Sequence, residues 1–435
     1  MSKKLCFLFS VFMMMSSVAH GQNLNTTAAP SFKEKSQGAP SESPADESFS
    51  SQISKITFSG LKRTKDSFLQ ESLKSYIGRP FNEKLQNELE SDLQTMNLFS
   101  TIEINPSIQS DGSTELFINV KEKISFIPLP FAMYSSSTGF KAGAFLMDMN
   151  TFGKKDMTIA GLMWSPKTIM SVGMFKHAPK IGAPGFMVAG NLSKATSIIC
   201  DSNGDDVLEF DNFNAGISTS ILFKLDRYNS LDAGVGYGGM FLNGDYDFCD
   251  DLYDRNKGRI FTSWKIEDNN WNGVFLSSTS FSADAAASFD NKARLVSQLT
   301  VAGKIQQPLI PKLRLNIDTG AGIVLNGLVT DGLSRGTGRV TILDDEFTTE
   351  KIAGLSSGLE FALLQLRKIG TFSIYGNYEA VFAQEIDDSL VFCQGFNVGS
   401  KVYLSGLAFP AMSIGLAYNA TKNKFYFSGS FGMSF

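Results

Sequence analysis

The sequence predicts a mainly β protein: a transmembrane antiparallel β-barrel of about sixteen strands preceded by one small β-α-α-β-β domain. Three observations carry this. In the last twelve residues, Phe425, Phe427, Phe431, Met433 and Phe435 alternate with Lys424, Tyr426, Ser428, Ser430 and Ser434, and alternation by two puts apolar and polar side chains on opposite faces of a strand. The same pattern recurs from Ile124 onward with no convincing helix. Finally, residues 1–21 read as a secretory signal peptide: Lys3 and Lys4, an apolar run from Leu5 to Met15, and a small-residue exit in which Ala19 and Gly21 place cleavage before Gln22. An exported chain of amphipathic strands fits a bacterial outer membrane, with lipid outside the barrel and water within.

Composition agrees and excludes other classes. No later window approaches the run of roughly 20 apolar residues that a membrane helix needs. The mean hydropathy of −0.03 is compatible with a barrel, whose strands turn only every second residue to lipid. The chain holds 39 Gly and 37 Phe, and its net charge of −4 argues against a nucleic-acid partner. Cys6 leaves with the signal, so Cys200, Cys249 and Cys393 remain, too few for a disulfide framework and without a CxxC metal spacing. His20 lies in the signal, leaving His177 in an expected turn beside Pro179 and away from any Ser or Asp constellation. With no phosphate loop and no Cys/His set, the sequence points to no enzyme, cofactor or metal.

Residues 22–51 are rich in Ser, Pro, Ala and Glu and read as a disordered linker. Residues 52–123 change character. Ile53 to Gly60 is a strand, Thr64 is placed to cap a helix carrying Phe68, Leu69 and Leu73, and Asn82 opens a second helix with Leu85, Leu89, Leu93 and Met96 on one stripe. Two strands follow, Thr101 to Ile108 and Thr114 to Val120, joined at Asp111-Gly112. Residues 124–435 then divide into about sixteen alternating segments, the first near Phe126 and the last near Phe425; twelve or fourteen strands remain open if a segment has been split.

The chain resembles the BamA/TamA superfamily, also described as the bacterial surface antigen family, whose members carry periplasmic POTRA domains before a sixteen-strand barrel. The POTRA-like residues are Ile56 to Gly60, Gly78-Arg-Pro-Phe81, Asn97-Leu-Phe-Ser100 and Val120-Lys-Glu-Lys123. In the barrel, Ala142-Gly143 through Asn150-Thr-Phe-Gly153 resembles the second strand and its turn, and Phe396 to Asn419, with Phe409-Pro410, the penultimate hairpin. Only one POTRA-like domain is present, which points to an accessory or specialised role. The resemblance implies a sixth outer loop folded into the lumen and carrying an Arg-Gly pair. The matching place here reads Ser334-Arg335-Gly336-Thr337, without the family's aromatic.

The resemblance and the alternation together nominate sites. On Lys351 to Leu364, outward Leu355, Leu359 and Phe361 turn Glu360 into the lumen, and the next strand likewise turns Glu379 inward. Arg335 is expected to pair with one or both; the alternative is three solvated lumen charges. The junction of first and last strands is the second candidate. Pro128 and Pro130 cannot donate to a ladder, Gly429 and Gly432 pack weakly, and Phe435 ends the chain. The family opens this seam sideways; prolines that only mark a domain linker are the alternative. Cys200 and Cys249 fall on neighbouring outer loops, where a disulfide is conceivable, and Cys393 is placed on another. The acidic residues of those two loops, from Asp201 to Asp211 and from Asp245 to Asp254, read as solvated charge, with calcium or lipopolysaccharide-bridging cations on their oxygens as the alternative.

The implied function is insertion or assembly of outer-membrane proteins. A POTRA edge strand would receive an extended client and the seam would template it by edge pairing. A two-partner-type polypeptide exporter, or a pore regulated by the lumen loop, are the alternatives. The implied partners are outer-membrane lipid and client β-barrel or secreted polypeptides, with periplasmic chaperones or accessory proteins as further candidates.

Overall fold

The computed structural model describes residues 51–435, apart from 97, 245, 247–248, 250–251, 273–274, 367–369, 386–387, 405–410 and 433–435. The expected signal peptide, nearly all of the expected linker, Phe409-Pro410 and Phe435 lie outside the described residues.

The first unit has the expected element order: β1 (Ile53–Ser59), α1 (Asp66–Ser72), α2 (Glu83–Thr95), β2 (Phe99–Ile108) and β3 (Thr114–Glu122). β1 runs parallel to β3 and β2 antiparallel, giving the sheet order β1-β3-β2. Asn82 caps α2 by accepting the Leu85 N–H at 2.8 Å. The apolar stripe of α2 packs Leu85, Leu89 and Leu93 against Ile56, Leu116 and Ile118 of the sheet, with Leu69 and Leu73 closing the core. Each fully buried side chain of this kind contributes about 1.5–3 kcal/mol. Thr64 departs from expectation: α1 starts after Lys65 with no side-chain cap, because the Thr64 hydroxyl is occupied by the barrel.

The barrel closes with sixteen strands. They are β4 (Phe126–Ser135), β5 (Gly139–Asp148), β6 (Met157–Trp164), β7 (Thr168–His177), β8 (Gly185–Cys200), β9 (Asp206–Lys224), β10 (Asn229–Leu242) and β11 (Arg255–Asn272). After them come β12 (Phe275–Asp290), β13 (Leu295–Ile310), β14 (Leu313–Leu325), β17 (Lys351–Leu366), β18 (Gly370–Gln384), β19 (Leu390–Leu404), β20 (Met412–Asn419) and β21 (Lys424–Phe431). The two-residue strands β15 (Leu333–Ser334) and β16 (Thr348–Thr349) pair inside the connection between β14 and β17. Outward positions are apolar and exposed, among them Leu162, Ile217, Ile260, Leu299, Phe396 and Phe425. Trp164 and Trp264 are exposed outward as well, in the manner of an interface girdle.

The first unit is fastened to the near end of the barrel. Arg63 donates to Asp148 at 2.6 Å and to Ser125 at 2.5 Å. Asn150 donates to the Thr64 hydroxyl at 2.9 Å, and Lys65 N–H to the Gly153 carbonyl at 2.9 Å. Gly153 has φ +74, and a Cβ there would collide with the Arg63 carbonyl, so the turn needs glycine twice over. His177 is the last residue of β7 rather than a turn residue. Its Nδ1 lies 2.5 Å from buried Asp156, which comes from the turn before β6.

The lumen has two unlike halves. From β9 to β18 its lining is polar, with Asn214, Arg255, Lys257, Arg314, Glu360 and Glu379. From β4 to β7 it is apolar. Outward Phe126 and Tyr134 turn Ile127, Leu129, Phe131 and Met133 inward, and Phe131 stacks on Phe145 at 5.1 Å. Outward Leu146 and Leu162 likewise turn Met147, Met157, Ile159 and Met163 inward, and outward Ile169 does the same for Met170, Val172 and Met174.

Candidate functional site

Among the described residues the seam has fewer register pairs than any other junction of the barrel. β21 pairs with β4 through four residue pairs, Ser428 with Ser135, Gly429 with Tyr134, Ser430 with Met133 and Phe431 with Ala132. Other neighbouring strands share between seven and sixteen. Pro128 and Pro130 lie in the near half of β4 and pair only with Leu146 and Ala144 of β5, so among the described residues that half faces no β21 partner. Gly432 follows the last of these pairs. Its φ of +91 is a left-handed conformation, its N–H goes to the Ala411 carbonyl at 2.7 Å, and a Cβ would collide with the Pro130 carbonyl. The glycine therefore sits close against Pro130 and Phe131 of β4 rather than packing weakly. Gly429 has room around it, the nearest atom to a Cβ being the Ser413 carbonyl at 3.8 Å.

The long connection from β14 to β17, residues 326–350, folds into the lumen from the far end. Leu333, Val340, Ile342, Leu343 and Phe347 are buried against Val324, Ile352, Val381, Cys393, Ala417 and Tyr426 of the wall. The wall is shaped for this: Gly320 of β14 and Gly354 of β17 are register partners, and a Cβ on either would collide with the Thr337 or Gly338 carbonyl of the loop.

The polar anchors differ from those expected. Glu379, 1% exposed, does hold the loop, but through its backbone: it accepts the Thr341 N–H at 2.6 Å and the Ile342 N–H at 3.2 Å, with the Thr341 hydroxyl at 3.1 Å. Arg335 reaches neither Glu379 nor Glu360. It donates to the Thr341 carbonyl at 3.1 Å and the Leu343 carbonyl at 2.5 Å, and pairs with Asp345. Asp345 also accepts the Ser135 hydroxyl. Arg335 therefore shapes the loop and orients the carboxylate that touches the seam. Gly336 opens the turn that returns Arg339 N–H to its carbonyl at 3.2 Å.

Glu360 belongs to a second lumen cluster. It pairs with Arg314 at 2.7 Å and accepts from Ser373 at 2.6 Å and Tyr403 at 2.8 Å, with Lys401 at 3.6 Å. Applying the same alternation to β14 would have placed Arg314 inward opposite Glu360, its register partner. A third anchor was also missed: Arg255 donates to Asp331 at 2.8 Å and to Thr330 at 2.7 Å.

Cys200, Cys249 and Cys393 are free. Cys200 ends β8 with its thiol on Asp206 at 3.3 Å, and Cys249 packs beside Ile199, Phe210 and Leu252, so the conceived disulfide does not form. Cys393 lies within β19, buried against the loop, and not on an outer loop.

Comparison with known proteins follows from this geometry. The family described as "Surface antigen variable number repeat", POTRA, matches residues 51–123. Residues 51–123 form a POTRA domain. The POTRA domain and barrel together share the fold of BamA from Haemophilus ducreyi lacking POTRA domains 1–3, with a TM-score of 0.64 at 12% identity over 88% of this chain and 85% of that one. CdiB from Escherichia coli matches with a TM-score of 0.63 at 11% identity, covering 88% of this chain and 77% of that chain. CdiB from Acinetobacter baumannii gives 0.62 at 11%, covering 89% and 74%. No curated protein matches the sequence.

Proposed function

We infer that this protein is an outer-membrane assembly or insertion factor, accessory or specialised, with its POTRA domain in the periplasm and its seam as the working element. The observation that carries this is the four-pair seam with the near half of β4 left over. That half of β4 carries unspent C=O groups beside lipid, with Pro128 and Pro130 supplying no N–H, and a strand edge with acceptors to spare is a template for the N–H groups of an incoming strand. The POTRA domain offers a second free edge along β2, whose other side pairs with β3. No catalytic step or bound cofactor belongs to this reading; client folding supplies the free energy. The clients are unfolded β-barrel polypeptides.

A second reading, polypeptide export, draws on one observation. Beside the folded loop the lumen keeps a cavity of about 980 Å³ lined by Met174, Met187, Asn214 and Arg255, and the shared fold with CdiB is as close as that with BamA. The experiment pairs cysteines at Met133 and Ser430, register partners across the seam, in a chain with its native cysteines replaced. Antiparallel partners stand about 4.5–5.5 Å apart at Cα, within disulfide reach. Oxidation should stop insertion of client barrels and reduction should restore it. Insertion that survives a closed seam refutes the reading, and loss of a single secreted product on depletion, with barrels intact, favours export.

A further inference from the structure

The apolar half of the lumen is at odds with a water-filled barrel, and it does not end at the wall. Register partners form an unbroken row across four strands: Ile127 with Met147, Met147 with Ile159, Ile159 with Met174, and Met174 with Ala189. Neighbours in such a row sit about 4.5–5.5 Å apart. At one end the row meets the lumen cavity, which Ile159, Met174 and Ala189 line. At the other, Ile127 enters a separate pocket of about 530 Å³ between the POTRA domain and the barrel mouth, lined also by Met96, Leu98, Met149 and Met157. The charged groups of that pocket are Arg63, Lys123, Lys155 and Lys176, against one carboxylate, Glu122.

We propose that this track binds an anionic phospholipid, its acyl chains along the methionine-rich row and its phosphate among Lys123, Lys155 and Lys176 at the periplasmic mouth. Two arguments select the occupant. Flexible thioether side chains suit a chain that has no fixed shape, and a cationic mouth calls for an anionic head. A polypeptide fits less well. The inward side chains of the row offer no donors and only weak thioether acceptors, so a peptide laid along it would leave buried N–H and C=O groups poorly satisfied. An acyl chain has none to satisfy.

The test uses the full chain in phosphatidylcholine bilayers doped with phosphatidylglycerol that carries a diazirine near the end of one acyl chain, with labelled residues mapped by mass spectrometry. Labelling is expected on inward Met147, Ile159 and Met174 as well as on outward Leu162 and Ile169, which surrounding lipid reaches in any case and which serve as the internal control. Lys123→Gln with Lys176→Gln should cut inward labelling about thirtyfold, roughly fivefold per lysine, and leave outward labelling unchanged. Ile159→Asn with Met174→Asn places polar groups on a lumen face, where barrels tolerate them, and should abolish inward labelling in a barrel that still migrates as folded. Inward labelling that is absent, or equal for a diazirine phosphatidylcholine, or obtained only with a diazirine fatty acid, overturns the proposal. These readouts do not depend on client insertion.

Discussion

Replacing Glu379 with Ala is the sharpest test of how the lumen loop is held. The carboxylate accepts two loop backbone donors, Thr341 N–H and Ile342 N–H. A hydrogen bond to a charged group contributes about 1.5–3 kcal/mol, so the pair contributes about 3–6 kcal/mol to docking. At about 1.4 kcal/mol per tenfold, even the lower figure raises the undocked population about a hundredfold. The loop stays docked in most molecules, because Ile342, Leu343 and Phe347 remain buried and each contributes about 1.5–3 kcal/mol. The assay is trypsin cleavage after Arg339 in intact proteoliposomes, which reads the rare undocked state, alongside single-channel recording, which should show brief openings and no rise in baseline. Arg335→Ala is the comparison. It removes bonds to the Thr341 and Leu343 carbonyls and to Asp345, all within the loop, so cleavage should rise less than for Glu379→Ala. A Glu379→Ala rate within about twofold of wild type, or one exceeded by Arg335→Ala, refutes the argument.

Three further outcomes follow from the same structure. Gly354→Val sets a side chain against the Gly338 carbonyl and should displace the loop with the barrel intact, read as a raised stable conductance. Arg314→Ala leaves Glu360, 0% exposed, without its closest cation; losing one partner of a buried pair costs about 3–5 kcal/mol, read as a lower temperature for heat-modified gel migration. Burial pushes the Glu122 carboxyl up, but hydrogen bonds from Thr64, Arg63 and Lys62 outweigh it and hold the group below its ordinary value. Its stabilising contribution is therefore present above the unfolded value of about 4.3 and lost as pH falls through the lower folded value. Melting of the POTRA domain within the full chain should drop over that acid range, and Glu122→Gln should flatten the drop.

Much of the architecture was legible because it rests on period. Alternation by two found the strands and assigned Glu360 and Glu379 to the lumen, and the 3.6-residue stripe of Leu85, Leu89 and Leu93 found α2 with its Asn82 cap. What alternation does not give is height along the barrel. Glu360 and Glu379 share the inner wall yet sit at different levels, since Glu360 meets Arg314 near the start of β14 while Glu379 meets the loop. An arginine assigned to "the wall" had no means of choosing between them, and in the structure it chose neither. Thr64 shows the same limit at the other end. Its position before a helix reads as a cap, but a tertiary partner, Asn150, took the hydroxyl, and nothing in local sequence records that competition.

The corrected place of Arg335 strengthens the link between loop and seam. Had it docked on Glu379, the loop would have had no charged contact leading to β4 at the junction with β21. Instead Arg335 holds Asp345, and Asp345 accepts the hydroxyl of Ser135, which is both the last residue of β4 and one of its four pairing positions on β21. Peeling β21 away from β4 leaves that contact intact only if β4 stays with the loop, and drawing the loop out of the lumen must break it or carry the end of β4 along. Among the described residues, four register pairs and the two Ser136–Phe427 hydrogen bonds close the wall there, so one further hydrogen bond at the edge is a sizeable share of what holds it. Loop position and seam closure are therefore coupled through this carboxylate, beside the packing of the loop on Tyr426 of β21, and a variant such as Asp345→Asn should loosen both together.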